Sequence, residues 1–177
     1  EGAKVLTVTV SIKNISSSTI TGVKYLRSTD PDVDSNSLAG STSSTNNFRG
    51  STFNSVENFV YAVGPVSGRV IGLYSSDTTT HNTSVSSWTT DPDVALAGGN
   101  IGNGDNTIDL GFNLGDLSAG ATGSFSFLYV FADTVSKAES HIATAESNTA
   151  PTQTTIPTQN LLEDFPSYTI DLKNYFG

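Results

Sequence analysis

Apolar and polar positions alternate with a period of two along much of the chain, which predicts β-strands with one buried face. Val8, Val10 and Ile12 alternate with Thr7, Thr9, Ser11 and Lys13. Ile20 to Leu26 follows a Ser16-Ser17-Ser18 turn, so the spacing predicts that the first two strands form a hairpin. Val70 to Ser75 is apolar on both faces except at Gly72, the pattern of a central strand. Thr107 to Asn113 sets Ile108, Leu110 and Phe112 against Asp109 and Gly111. The strongest alternation is the aromatic stripe Phe125, Phe127, Tyr129 and Phe131, preceded by the turn Ser118-Ala119-Gly120-Ala121 and read as the core of a sandwich. Residues 35 to 56 are Ser, Thr, Asn and Gly with Phe48 and Phe53 as the main apolar interruptions, and read as a long loop. The one helical suggestion is 133–147, where Ala, Lys and Glu cluster. Residues 1–149 read as one domain. Pro151 and Pro157 mark a linker, and the alternation of Tyr168 to Leu172 then either completes that domain or opens a second one in 150–177.

Composition agrees with the pattern. Ser, Thr and Asn make up more than a third of the 177 residues, while Lys and Glu are scarce, which is the vocabulary of strands and turns. The expected fold is all-β: an antiparallel β-sandwich with long polar loops and one short helix. A chain of this length buries roughly 70% of its unfolded surface, so an ordinary core suffices without the disulfides it lacks. A net charge of -9 with 8 bases makes nucleic acid and anionic membranes poor partners. No apolar run approaches a membrane span, so no membrane insertion is expected. The start at Glu1, without a leader, suggests a piece of a larger protein, and the composition suggests an extracellular one. With no Cys and only His81 and His141, cysteine chemistry is excluded and a His-rich zinc site nearly so.

The acids carry the chemistry. Asp30-Pro31-Asp32-Val33-Asp34 sets three carboxylates at alternate positions, where they converge and repel unless a cation intervenes. Calcium suits them, because it takes about 6 to 8 oxygen ligands in flexible geometry; magnesium tolerates irregular loops poorly. An EF-hand is rejected, since Ser35 stands where the turn needs Gly and Ser41 where the bidentate Glu belongs. Asp91-Pro92-Asp93, and Asn103 with Asp105 in Gly102-Asn103-Gly104-Asp105-Asn106, are further candidate ligands, though these sequences are also good turn formers. His81 lies in a polar stretch read as a loop. Trp88 reads as core, with an exposed sugar-stacking residue as the sharper alternative, for which Tyr61 and Tyr74 are also candidates. No enzyme is expected: nucleophile-elbow, P-loop and metalloprotease motifs are missing, and Glu57 is the one candidate carboxylate for polysaccharide cleavage.

Several of these segments together resemble a known family. Asn14-Ile15-Ser16, Tyr25-Leu26-Arg27 running into Asp30 to Asp34, Thr45-Asn46-Asn47-Phe48, Ile71-Gly72-Leu73-Tyr74-Ser75, Gly102 to Asn106 and Leu114-Gly115-Asp116-Leu117-Ser118-Ala119-Gly120 are similar to modules of large calcium-dependent bacterial adhesins of the RTX type. The likeness covers roughly residues 1–132 and is nearest to the split domain of the ligand-binding region, although the chain has no insertion of the size of the PA14-type sugar-binding domain that some such modules carry. Glu163-Asp164-Phe165 with Tyr168 to Gly177 resembles the opening strand of a cadherin-like repeat of the dystroglycan type. The resemblance implies a monomeric, secreted, calcium-stabilised module at the bacterial surface, with neighbouring adhesin domains as partners and a cell-surface glycan or peptide as a ligand. The alternatives are a direct carbohydrate- or peptide-binding module and a polysaccharide-active enzyme.

Overall fold

Alternate residues of a strand share a face, and Phe125, Phe127 and Tyr129 are accordingly buried together on one side of β8 (Thr122–Ala132). The computed structural model that shows this describes residues 4–36 and 40–147. β8 is second in a five-stranded antiparallel sheet of order β1 (Val5–Lys13), β8, β5 (Val70–Tyr74), β4 (Phe59–Val63) and β3 (Asn46–Arg49). β5 is thus a central strand, as its two apolar faces suggested. A second sheet, of order β2 (Ile20–Thr29), β7 (Thr107–Leu117) and β6 (Thr80–Ser86), packs on the first. Val60, Leu73 and the β8 aromatics meet Val85, Ile108, Leu110 and Phe112 between the sheets. Phe112 and Phe125 stack across the gap with ring centroids 4.0 Å apart. The fold is an all-β antiparallel sandwich with two short helices among the described residues.

The helices close the outer faces. α2 (Val135–Ser147) lays Ala138 and Ile142, one turn apart, on the side of the five-stranded sheet that carries Phe59, Tyr61, Tyr74 and Val130. That second layer is why β4, β5 and β8 are apolar on both faces. α1 (Pro92–Ala97) covers the outer face of the smaller sheet, where a Cβ at Gly111 would stand 3.0 Å from Ala95 and 3.2 Å from Leu96. On the same face Asp109 is fully buried, and its carboxylate accepts hydrogen bonds from the hydroxyls of Ser28 (2.6 Å), Ser84 (3.0 Å) and Ser86 (2.6 Å).

The expected hairpin of the first two strands does not form. β1 pairs with β8 (Val8↔Phe127) and β2 with β7 (Tyr25↔Phe112), in different sheets. Buried Asn14 explains the crossing: its amide donates to the carbonyls of Ser18, Leu117 and Ser118 at 2.8, 2.8 and 3.1 Å. It thereby clamps the β1–β2 arch onto the β7–β8 arch, and both arches step from one sheet to the other.

Contacts divide the chain into two units, Glu1–Ala145 and Glu146–Gly177, and the site described below belongs to the first. The linker and final strand expected in 150–177 lie outside the described residues.

Candidate metal centre

The pairs Thr29↔Ile108 and Ser86↔Thr107 bring the end of β2, the start of β7 and the end of β6 to one end of the sandwich. The acidic loops leave from there. After Thr29 the chain passes Asp30 and buried Pro31, then turns sharply at Asp32, whose φ of 30° is left-handed, and closes with the Ser35 amide donating to the Asp32 carbonyl at 3.1 Å. The loop before β7 is pinned against the segment before β3. Thr45 and Gly104 exchange both backbone hydrogen bonds at 3.0 Å each, and the Asn47 amide donates to Asn103 Oδ1 at 3.0 Å. Gly104 has φ 141°, which a residue with a Cβ rarely adopts.

Two loops far apart in sequence thus meet at Asp30, Asp32 and Asp105, and one carboxylate oxygen of each lies within 4.8 Å of the others. No base pairs with them: the ion pairs among the described residues are Lys24–Asp93 and Lys137–Asp133. Asp105 Oδ2 accepts from the Ser43 hydroxyl at 3.2 Å, whereas Asp32 Oδ1 is buried without a donor. Burial, followed by the charges of Asp32 and Asp105, pushes the Asp30 carboxyl above its ordinary value. Three hard oxygen donors at this spacing, from residues that include Asp32 with its unsatisfied Oδ1, can hold a divalent cation of the calcium or magnesium type.

Asp34 does not join the other two acids of its segment. The left-handed turn at Asp32 breaks the extended alternation that would have aligned Asp30, Asp32 and Asp34. Asp34 is instead 1% exposed and braces the β4–β5 turn, with Oδ2 accepting from the amides of Val66 (2.8 Å) and Ser67 (3.2 Å). The Ser67 hydroxyl, with those amides, holds its carboxyl below the ordinary value against the opposing effect of burial. Gly64 makes the fit, since a Cβ there would stand 2.5 Å from Asp34 Oδ2. Asp34 Oδ1, like Asp32 Oδ1, is buried without a donor.

The other candidate ligands have structural duties. Asp91 caps the N-terminus of α1, accepting from the Asp93 amide at 2.9 Å with Pro92 in the first turn, and Asp93 pairs with Lys24 at 2.5 Å. The second Asp-Pro-Asp turn is therefore a helix start rather than a convergent acid group. Asn103 positions the Asp105 loop through its bond to Asn47.

His81 lies in strand β6 and not in a loop. Its ring nitrogens sit 2.7 Å from the Thr79 carbonyl and 3.2 Å from both Asn58 Oδ1 and the Ser75 carbonyl. Tyr61 and Tyr74 are buried under α2, which removes them as exposed platforms; burial, with the charge of Glu139, pushes the Tyr61 hydroxyl up. Trp88 departs from the expected core position: it is 55% exposed, with φ 56°, two residues beyond the Ser86↔Thr107 pair and so at the triad's end of the sandwich. A bulky residue held in left-handed backbone is strained, and such strain gathers at functional loops. The carboxyl of Glu57 is held below its ordinary value by its own amide and by Ser55, opposite to the direction a proton-donating acid needs.

Ser43, which orients Asp105, had no signal in the sequence; neither did the pairing of the 30–34 and 102–106 loops, because the Thr45–Gly104 bridge that makes it joins two irregular segments. No family model, curated protein or solved structure matches the chain.

Proposed function

We propose that this chain is a non-catalytic module of a secreted bacterial adhesin. In this reading calcium bound by Asp30, Asp32 and Asp105 rigidifies the loops at one end of the sandwich, and that end positions or forms a ligand-binding surface beside neighbouring domains. The observation that carries the cation is the convergence of three carboxylates without an ion-paired base, one of them belonging to Asp32, whose Oδ1 is buried without a donor. Calcium rather than magnesium follows from the irregular, partly exposed loops that supply the donors. The adhesin setting rests on the resemblance of the segments around Asn14, Asp30 to Asp34 and Gly102 to Asn106 to modules of that type.

Melting curves in chelator and in millimolar calcium test the cation. A ligand that binds only the folded state at 100 times its Kd adds about 2.7 kcal/mol. At about 2–4 °C per kcal/mol for a chain of this size, the rise is easily measured. An unchanged curve overturns the reading.

A second reading, direct carbohydrate binding, is favoured by the exposed Trp88 at the same end of the sandwich. A glycan array run with and without chelator separates direct sugar binding from a module that only positions its neighbours, which is blank in both.

A further inference from the structure

Next to the triad, two of the few bases of this acidic chain lie together. A groove of about 420 Å³ opens between the start of β1, the turn at 31–33, and the ends of β5 and β8. Its apolar wall includes Val33, Ile71 and Phe131, and Asp32 forms part of the rim. Phe131 is 42% exposed. Its ring lies 13° from parallel with that of buried Tyr129, which is itself held by Arg27 through a hydrogen bond to the hydroxyl and a cation over the ring face at 5.1 Å. The two ring centroids are 6.2 Å apart, so the exposed ring continues the aromatic row of β8 at the groove.

Lys4 and Arg69, two of the eight bases, line the same groove. Neither makes an ion pair among the described residues, where Lys24 and Lys137 are the paired bases. Both act on Asp133, which already pairs with Lys137 at 3.1 Å, and Arg69 acts on Asp34 as well; the two bases of the lining face two carboxylates, Asp32 and Asp133, and the second of these has a cation of its own in Lys137.

We propose that this groove binds an acidic pyranose, a uronate residue of a polysaccharide. Its carboxylate meets Arg69 and Lys4, a ring face lies on Phe131, and ring hydroxyls reach toward the cation at Asp32; only that last contact rests on the calcium reading above. The guanidinium fork matches a carboxylate. The C–H face of a pyranose suits an aromatic ring, and sugar hydroxyls are hard donors that complete calcium's shell. The volume is at the small end for ligand sites and takes roughly one or two sugar rings. An acidic peptide offers the carboxylate without the adjacent flat C–H face and hydroxyls, which makes it the control.

Calorimetric titration of the whole chain with a glucuronate disaccharide, its neutral glucose counterpart and a short Glu-rich peptide, each in millimolar calcium and in chelator, tests the proposal. The uronate should bind at least tenfold more tightly than either control in calcium. Arg69→Gln should weaken it about tenfold and erase its preference over the neutral sugar, with the melting temperature unchanged because Arg69 is exposed. Phe131→Ala should weaken both sugars. Equal binding of the neutral sugar, preference for the peptide, no binding of the uronate, or a wild-type titration by Arg69→Gln would overturn it. Calcium separates the two readings. If calcium raises the melting temperature and the uronate fails to bind, the groove proposal alone falls. If the uronate binds equally in chelator and the melting temperature ignores calcium, the cation reading falls and the Arg69 contact stands.

Discussion

Replacing Asp32 with Asn should make the protein more stable than wild type in chelator and less stable than wild type in calcium. The triad holds three carboxylate oxygens within 4.8 Å of one another. At that separation a pair of like charges repels by about 0.9 kcal/mol in bulk water and by about 3.5 kcal/mol at the effective dielectric of a protein surface. Asp32→Asn removes two of the three pairs. Allowing for the exposure of Asp30 and Asp105 and for salt, the ion-free protein should gain about 1–2 kcal/mol, less than the calcium gain of wild type. A neutral amide also costs less than a carboxylate at the donor-free position of Asp32 Oδ1. The backbone does not confound the comparison, since Asn tolerates the left-handed φ of 30° as well as Asp does. In calcium the order inverts, because wild type gains about 2.7 kcal/mol at 100 times its Kd and the variant loses a charged ligand. Urea denaturation of both proteins, in EDTA and in millimolar calcium, reads all four stabilities. A variant weaker than wild type in EDTA, or one that keeps the full calcium gain, would refute the repulsion argument.

Asp109→Ala should cost about 3–5 kcal/mol in urea, because the hydroxyls of Ser28, Ser84 and Ser86 lose their acceptor, while Asp109→Asn, which keeps an oxygen and lets a serine accept in turn, should cost about 1–2 kcal/mol. Gly64→Ala should cost about 1–3 kcal/mol by thermal melt, since its methyl group would overlap the Asp34 carboxylate. The pH profile in chelator should carry opposed contributions. The raised Asp30 value means that the folded state holds that proton more tightly than the unfolded chain, so its contribution is present at low pH and is lost as pH rises through the Asp30 value. Asp77 is lowered, its burial outweighed by bonds from Thr79 and Ser126; its contribution is present above the ordinary carboxylate value of 3.8 and is lost as pH falls through its own. Melts from pH 3 to 7 should therefore show Asp30→Asn more stable than wild type at the upper end of that range in EDTA, and calcium affinity should weaken toward acid as the Asp30 carboxyl takes up its proton.

The strands were legible wherever one rule governed them. Phe125, Phe127 and Tyr129, or Ile108, Leu110 and Phe112, alternate because one face meets the core, and that requires no knowledge of the partner strand. The pairing was not legible. Alternation in β1 and β2 fits a hairpin as well as two separate sheets, and what decides is Asn14, a polar residue whose three carbonyl partners include two that lie a hundred residues away. β6 was missed because Thr80 to Ser84 is almost all polar: its hydroxyl and amide groups are used by Asp109, Arg49 and α1 instead of water. The exposure of Trp88 was not legible because hydrophobicity predicts burial on average, and its left-handed backbone has no signal in the sequence.

The two Asp-Pro-Asp turns show why the candidate site could be read only in part. Local chemistry is the same in both: a fixed proline φ between two short carboxylates. After Thr90, however, the chain starts a helix, so Asp91 accepts from the Asp93 amide as its cap and Asp93 meets Lys24 of β2. After Thr29 no helix follows and no base is opposite; Asp105 is there instead, brought by the Thr45–Gly104 bridge. A carboxylate beside a lysine is balanced by folding, whereas the repulsion of three neighbouring carboxylates is relieved by water, by a proton on Asp30 or by a cation. The net charge of -9 is therefore spread over groups of different standing, some neutralised within the fold and one cluster that the fold leaves unbalanced. That imbalance, more than the count of acids, is what the proposed cation would offset at this end of the sandwich.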